Sequence, residues 1–130
     1  MEPNIWGSHA WLFLHTITLN YPENPTKHDK ENYKNFFESL SHVIPCEVCM
    51  NHYKQNIKKH PIQLESKESL ARWLHKIHNI VNVKNGENEF PYDDFIKKYS
   101  NLYSGDNNTR ILICVLIIII SAIAFYIYKK

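Results

Sequence analysis

The chain has 130 residues, with 15 Lys and Arg against 13 Asp and Glu, for a formal net charge of +2. That balance provides no basic surface of the kind nucleic acid requires, and Lys58-Lys59 and Lys97-Lys98 read as solvated helix faces. Three cysteines are too few to staple a secreted fold, and three glycines supply no phosphate-cradling loop.

The apolar spacing predicts helices in succession. Between Ile5 and Leu19, Trp6, Ala10, Leu14 and Ile17 recur at helical steps, with Trp11 and His15 forming a second row. Tyr21-Pro22 stops this helix, and residues 22–25 read as a loop. Thr26 caps a second helix whose inner face is Tyr33, Phe36, Phe37, Leu40 and Val43. Pro45 suits the first position of a third helix reaching about Lys59, which places Cys46 and Cys49 in its first turn. His60-Pro61 ends it. Ser66 caps a fourth helix carrying Leu70, Trp73, Leu74, Ile77, Ile80 and Val81, with Lys84 in its last turn and Gly86 just beyond. Pro91 opens a short fifth helix to about Tyr99, with Tyr92, Phe95 and Tyr99 on one face. Neither strand-like alternation nor an internal repeat occurs. Residues 1–104 therefore read as an all-α domain, a four-helix bundle plus a short fifth helix.

Residues 105–110 form a polar linker, and residues 111–128 carry no charge. As a helix, that run spans about 27 Å, close to the hydrocarbon thickness of a bilayer. Arg110 precedes it, Lys129 and Lys130 follow, and Tyr126 and Tyr128 sit where interfacial aromatics belong. Charge on both flanks leaves orientation undecided. Met1-Glu2-Pro3-Asn4 lacks the basic start of a signal peptide, so the expectation is a C-terminal tail anchor with the domain facing the cytosol. Cys114, inside the span, reads as a passive apolar residue.

The chemistry centres on Pro45-Cys46-Glu47-Val48-Cys49. A Cys-x-x-Cys pair is half of a zinc site or a redox dithiol. Zinc needs further ligands, and His52, His60, His75 and His78 are the available ones. A thioredoxin-type fold would place the pair after a strand, whereas the preceding residues here are helical. A thiol at the start of a helix meets unpaired N–H groups and the positive end of the dipole, which suits a redox pair. On the fourth helix, His78, Asn79 and Asn82 form a polar stripe that reads either as a solvated face or as one wall of a slot. Trp11 and His15 read either as core or as the facing wall. An aromatic- and amide-lined slot can seat a planar cofactor. Two readings remain open: a redox enzyme, and a zinc-stabilised, non-enzymatic interaction module on a membrane anchor.

Three motifs in register carry a resemblance. Trp6-Gly7-x-x-x-Trp11-x-x-x-His15, Pro45-Cys46-x-x-Cys49 and His78-Asn79-x-Val81-Asn82-x-Lys84 together resemble the Erv/Alr family of FAD-linked sulfhydryl oxidases. Phe90-Pro91-Tyr92-Asp93-Asp94-Phe95 resembles that family's last helix, and the likeness covers about residues 4–100. In size and sparse cysteines the chain is most similar to the minimal viral members, which points to a host or virion membrane.

The resemblance implies FAD bound non-covalently at the mouth of the bundle, a homodimer and no metal. It implies that Trp11 and His15 contact the cofactor from the first helix. His78, Asn79, Val81, Asn82 and Lys84 would hold it from the fourth, Lys84 against the pyrophosphate. His52 and Cys49 would face it from the third. On this reading a protein dithiol attacks Cys46, Cys49 passes electrons to FAD, and dioxygen becomes hydrogen peroxide. Larger members carry further cysteines that shuttle electrons inward or brace the fold. Their absence here implies that a separate dithiol protein, thioredoxin-like, reaches Cys46 directly.

Overall fold

The computed structural model describes residues 1–104 and 107–129, and all regular structure among them is helical. Six helices follow in order: α1 Pro3–Leu19, α2 Lys27–Val43, α3 Glu47–Lys59, α4 Lys67–Lys84, α5 Tyr92–Ser104 and α6 Asn107–Lys129. They fall into two compact units, Met1–Phe90 and Pro91–Lys130.

The first unit holds α1 to α4. Helix α1 packs on α4, α2 on α3, and α3 on α4. Both expected caps form. The Thr26 hydroxyl accepts from the Asp29 N–H at 3.1 Å, while the Asp29 carboxylate accepts from the Thr26 N–H at 2.8 Å. Ser66 and Ser69 make the same reciprocal arrangement at the head of α4. At the other end of α4, Gly86 takes φ +81, and the N–H of Glu87 reaches the Asn82 carbonyl at 2.9 Å. Only glycine adopts that conformation without strain, and it halts the helix.

The core is Tyr21, Phe37, Tyr53, Leu70, Trp73, Leu74 and Ile77. Leu70, Leu74 and Ile77 are fully buried, each contributing about 1.5–3 kcal/mol. Two polar groups of the core find backbone partners. The Tyr53 hydroxyl donates to the Phe37 carbonyl at 2.9 Å, and the Trp73 indole N–H donates to the His60 carbonyl at 2.8 Å. Burial, with Glu38 nearby, pushes the Tyr53 phenol well above its ordinary range.

Helix α1 stops before Tyr21, as expected, and Tyr21 itself is fully buried and donates to the Leu64 carbonyl at 3.0 Å. Two local expectations are corrected. Val43, expected on the inner face of α2, is 64% exposed. Ile44, four residues after Leu40, packs against the core in its place. Pro45 does not open α3: Cys46 is its N-cap, in extended conformation, and the helix starts at Glu47.

In the second unit, α5 runs past Tyr99 to Ser104. Phe95 and Tyr99 are buried and their rings lie 4.8 Å apart. Burial, then Tyr103, pushes the Tyr99 phenol up to about 12. Of the expected linker, Gly105 and Asp106 lie outside the described residues, as does Lys130, while Asn107 already belongs to α6. Within α6, Ile111–Lys129 is long and apolar enough to cross a membrane.

Candidate functional site

The head of α3 positions the two sulfurs. Cys46 occupies the place usually taken by Ser or Asp, and its Sγ accepts from the Cys49 N–H at 3.2 Å. A residue at the N-cap and one three positions later lie on adjacent edges of the first turn. Their Cα atoms are 5.2 Å apart, within disulfide range, and the two sulfurs are bonded. Both residues are half-buried. The unpaired N–H groups of this turn stabilise negative charge on whichever sulfur is released when the bond opens.

Helices α1 and α4 bring three of the expected residues together. His15 is fully buried, and its Nε2 shares a hydrogen bond with His78 Nδ1 at 2.9 Å. The His78 ring stacks on Trp11, centroids 3.9 Å apart and planes inclined by 10°. Trp11 and His15 are one turn apart on α1, with ring centroids at 5.9 Å. The result is an aromatic wall whose orientation is fixed by the bond between buried His15 and half-buried His78.

Asn79 and Asn82 make further contacts along α4. Asn79 grips the backbone of Phe90 at both ends, donating from Nδ2 to its carbonyl at 3.0 Å and accepting from its N–H at 3.1 Å. Asn82 Nδ2 donates to Asn79 Oδ1 at 3.3 Å. His75, one turn before Asn79, also meets the Phe90 carbonyl, at 2.8 Å from Nε2. No pattern in the residues beyond Gly86 signals that the chain folds back here. The His75/Asn79 spacing of four was the available signal, since it puts two polar groups on one edge of α4.

Burial is the main reason His75 titrates below its ordinary 6.5, with Arg72 adding and the Phe90 carbonyl and Glu89 opposing. The unfolded chain thus binds a proton at higher pH than the folded one. The stability His75 contributes is full above about pH 6.5 and declines as pH falls through its folded value. Urea unfolding of the wild type and His75→Gln should differ more at about pH 7.5 than at about pH 5.5. A difference that stays constant between the two would refute this assignment.

On the remaining edge, the Lys84 ammonium donates to His52 Nε2 at 2.6 Å, joining the last turn of α4 to α3. His52 follows Cys49 by three residues, so it stands one turn along the same side. Val81 is half-buried, one turn after His78. These residues suit a planar heteroaromatic group with an anionic tail. The stacked Trp11/His78 wall matches the plane, and Lys84 supplies positive charge at a helix end whose own dipole is negative. Zinc has no comparable constellation: among the described residues no three His, Cys, Asp or Glu side chains gather, and the two thiols are joined to each other.

Residues 8–100 match the Erv1/Alr family. A probable FAD-linked sulfhydryl oxidase of Acanthamoeba polyphaga mimivirus is 39% identical over 100 residues, covering 75% of this chain and 70% of the relative. The FAD-linked sulfhydryl oxidase ERV1 of Arabidopsis thaliana is 35% identical over 96 residues, and the chain spans about half of its length, 50%. The crystal structure of the yeast Erv1 core superposes with a TM-score of 0.74 at 31% identity, covering 78% of this chain and 86% of that one. The matched range, residues 8–100, takes in the residues that carry the disulfide and the aromatic wall. The chain belongs to the Erv1/Alr family.

Proposed function

We propose that this chain, an FAD-linked sulfhydryl oxidase by family, forms disulfides in a protein dithiol through unequal work by Cys46 and Cys49. The observation that carries the proposal is the Cys46–Cys49 disulfide at the head of α3, with His52 one turn further along. A substrate thiolate attacks Cys46 Sγ, a new S–S bond forms, and the electron pair of the old one leaves on Cys49 Sγ. The second substrate thiolate then attacks its partner's sulfur. The product disulfide departs and Cys46 is released as thiolate, leaving a reduced pair. The N–H groups of the first turn of α3 stabilise each thiolate in turn.

FAD, when bound, supplies the two-electron acceptor that restores the disulfide and hands the electrons to dioxygen, giving hydrogen peroxide. Trp11, His15 and His78 would hold its planar parts, Val81 and Asn82 would line the slot, and Lys84 would meet its phosphates. His52 would be placed between Lys84 and the sulfurs. The Asn79 side chain is engaged with Phe90, so its part is to fix the connector that follows α4.

The remaining proposals concern setting. Residues 1–104 form the oxidase domain, 105–110 the linker and 111–128 a membrane anchor, supported by the length and composition of α6. A homodimer is supported by α1, which leaves Ile5, Leu12 and Phe13 exposed at spacings that share one face. The electron donor is a separate dithiol protein of thioredoxin-like kind.

Purified full chain should be yellow and consume one dioxygen per dithiothreitol oxidised, with matching hydrogen peroxide. A flavin-loaded chain that consumes no oxygen with dithiothreitol would overturn the proposal.

A further inference from the structure

The seam between α2 and α3, away from the aromatic wall, is an open groove of about 530 Å³. Ile57, Pro61 and Ile62 form an apolar strip along it, over buried Phe37, Tyr53 and Trp73. Its rim is basic. Lys34, Lys54 and Lys58 line it with a single carboxylate, Glu38, which is paired with Lys34 at 2.9 Å. Lys54 and Lys58 are exposed and make no ion pair among the described residues. After Glu47, α3 has no acid at all, so positive charge persists toward its end.

Position around α3 matters more than composition. Successive residues turn by about 100°, so Lys58, nine residues after Cys49, stands roughly half a turn from it. His52 follows Cys49 on the side joined to Lys84, so the groove and the Lys84/His52 edge occupy different sides of α3. Along the axis, Lys54 and Lys58 lie about 12 and 18 Å beyond Cys46. An extended peptide covers those distances in about four to six residues.

We infer that this groove docks the thiol substrate itself, through an extended acidic segment lying four to six residues from the cysteine that attacks Cys46. The inference rests on the thiol-oxidase reading above and deepens it by naming the substrate's chemistry. Apolar side chains of that segment cover Ile57 and Ile62, while its carboxylates meet Lys54 and Lys58. The pairing steers the substrate thiol onto the outer sulfur and leaves the other side of α3 to the cofactor. Small thiols, which cannot reach the lysines, are oxidised without it.

The test uses the flavin-loaded full chain in a non-ionic detergent and a fluorescent peptide. The peptide carries serine in place of the attacking cysteine, aspartates four to six residues to either side, and apolar residues between. Fluorescence anisotropy should show binding to the wild type, about tenfold weaker binding to Lys54→Glu/Lys58→Glu, and none of a lysine-for-aspartate peptide. Dithiothreitol turnover should be equal in the two proteins. Failure of dithiothreitol turnover in the wild type would overturn the oxidase reading, whereas the binding arm judges the groove alone. Equal peptide affinity in wild type and double variant, or no peptide binding at all, would overturn the docking assignment. Lysine-dependent binding of a water-soluble short-chain phosphatidylserine without peptide binding would do so too, by giving the face to lipid.

Discussion

A Cys49→Ser variant is expected to lose turnover by about a thousandfold or more, with fold and flavin retained. The size of the effect follows from the chemistry. Without Cys49 Sγ there is no disulfide for a substrate to attack and no leaving thiolate to carry two electrons onward. Structural cost should be small. Cys49 is half-buried, and its backbone N–H, which caps α3 against Cys46, is untouched by the change. Flavin absorbance per chain and the unfolding midpoint should therefore match the wild type within about 1 kcal/mol. Oxygen consumption with dithiothreitol is the decisive readout. A variant that turns over at the wild-type rate would show that another group performs the electron transfer.

His15→Ala should destabilise the first unit by about 3 kcal/mol, the sum of a cavity and a lost buried hydrogen bond. His15 is among the largest fully buried side chains, and it fixes the His78 ring that stacks on Trp11. For a unit of this size the melting temperature should fall by about 15 °C. If the flavin binds as proposed, it should be lost as well, since the Trp11/His78 wall would no longer be oriented. His15→Asn can still bond His78 and should recover part of both properties. Calorimetry of the flavin-loaded chain, with absorbance after gel filtration, reads the two effects separately. An alanine variant with unchanged melting temperature and full flavin content would refute the role given to the imidazole pair.

Local chemistry was readable from the sequence because it depends on neighbours. Thr26 and Ser66 cap helices through residues three positions away, and Gly86 stops α4 through its own backbone freedom. The inner face of α4 followed from Leu70, Leu74 and Ile77 at four- and three-residue steps. Periodicity cannot tell which residue at a helix end takes the last core position. Val43 and Ile44 are both apolar, and only the turn into α3 decides that Ile44 packs inward. Nor does a proline before Cys46 reveal that the cysteine sulfur does the capping, since sulfur is an uncommon acceptor at that position.

The sequence names the candidate residues but not the contacts among them. Spacing and family likeness group Trp11, His15 and His78, but the His15–His78 bond joins residues 63 positions apart. The Lys84–His52 contact crosses 32 positions. The Asn79 amide also meets Phe90, because the chain after Gly86 returns along α4, a contact that its motif does not announce. Long-range pairs of this kind arise from helix packing, which no single-helix pattern encodes.

The asymmetry between the two sulfurs is tested most directly by trapping. Cys46→Ser and Cys49→Ser variants would each be exposed to an oxidised protein disulfide and examined by mass spectrometry. A thiolate at Cys46 attacks that disulfide, forms one new S–S bond and expels one substrate thiolate. The expected result is a stable mixed disulfide on Cys46 in the Cys49→Ser variant and little or none on Cys49 in the other. Equal trapping at both positions, or preferential trapping at Cys49, would contradict the account.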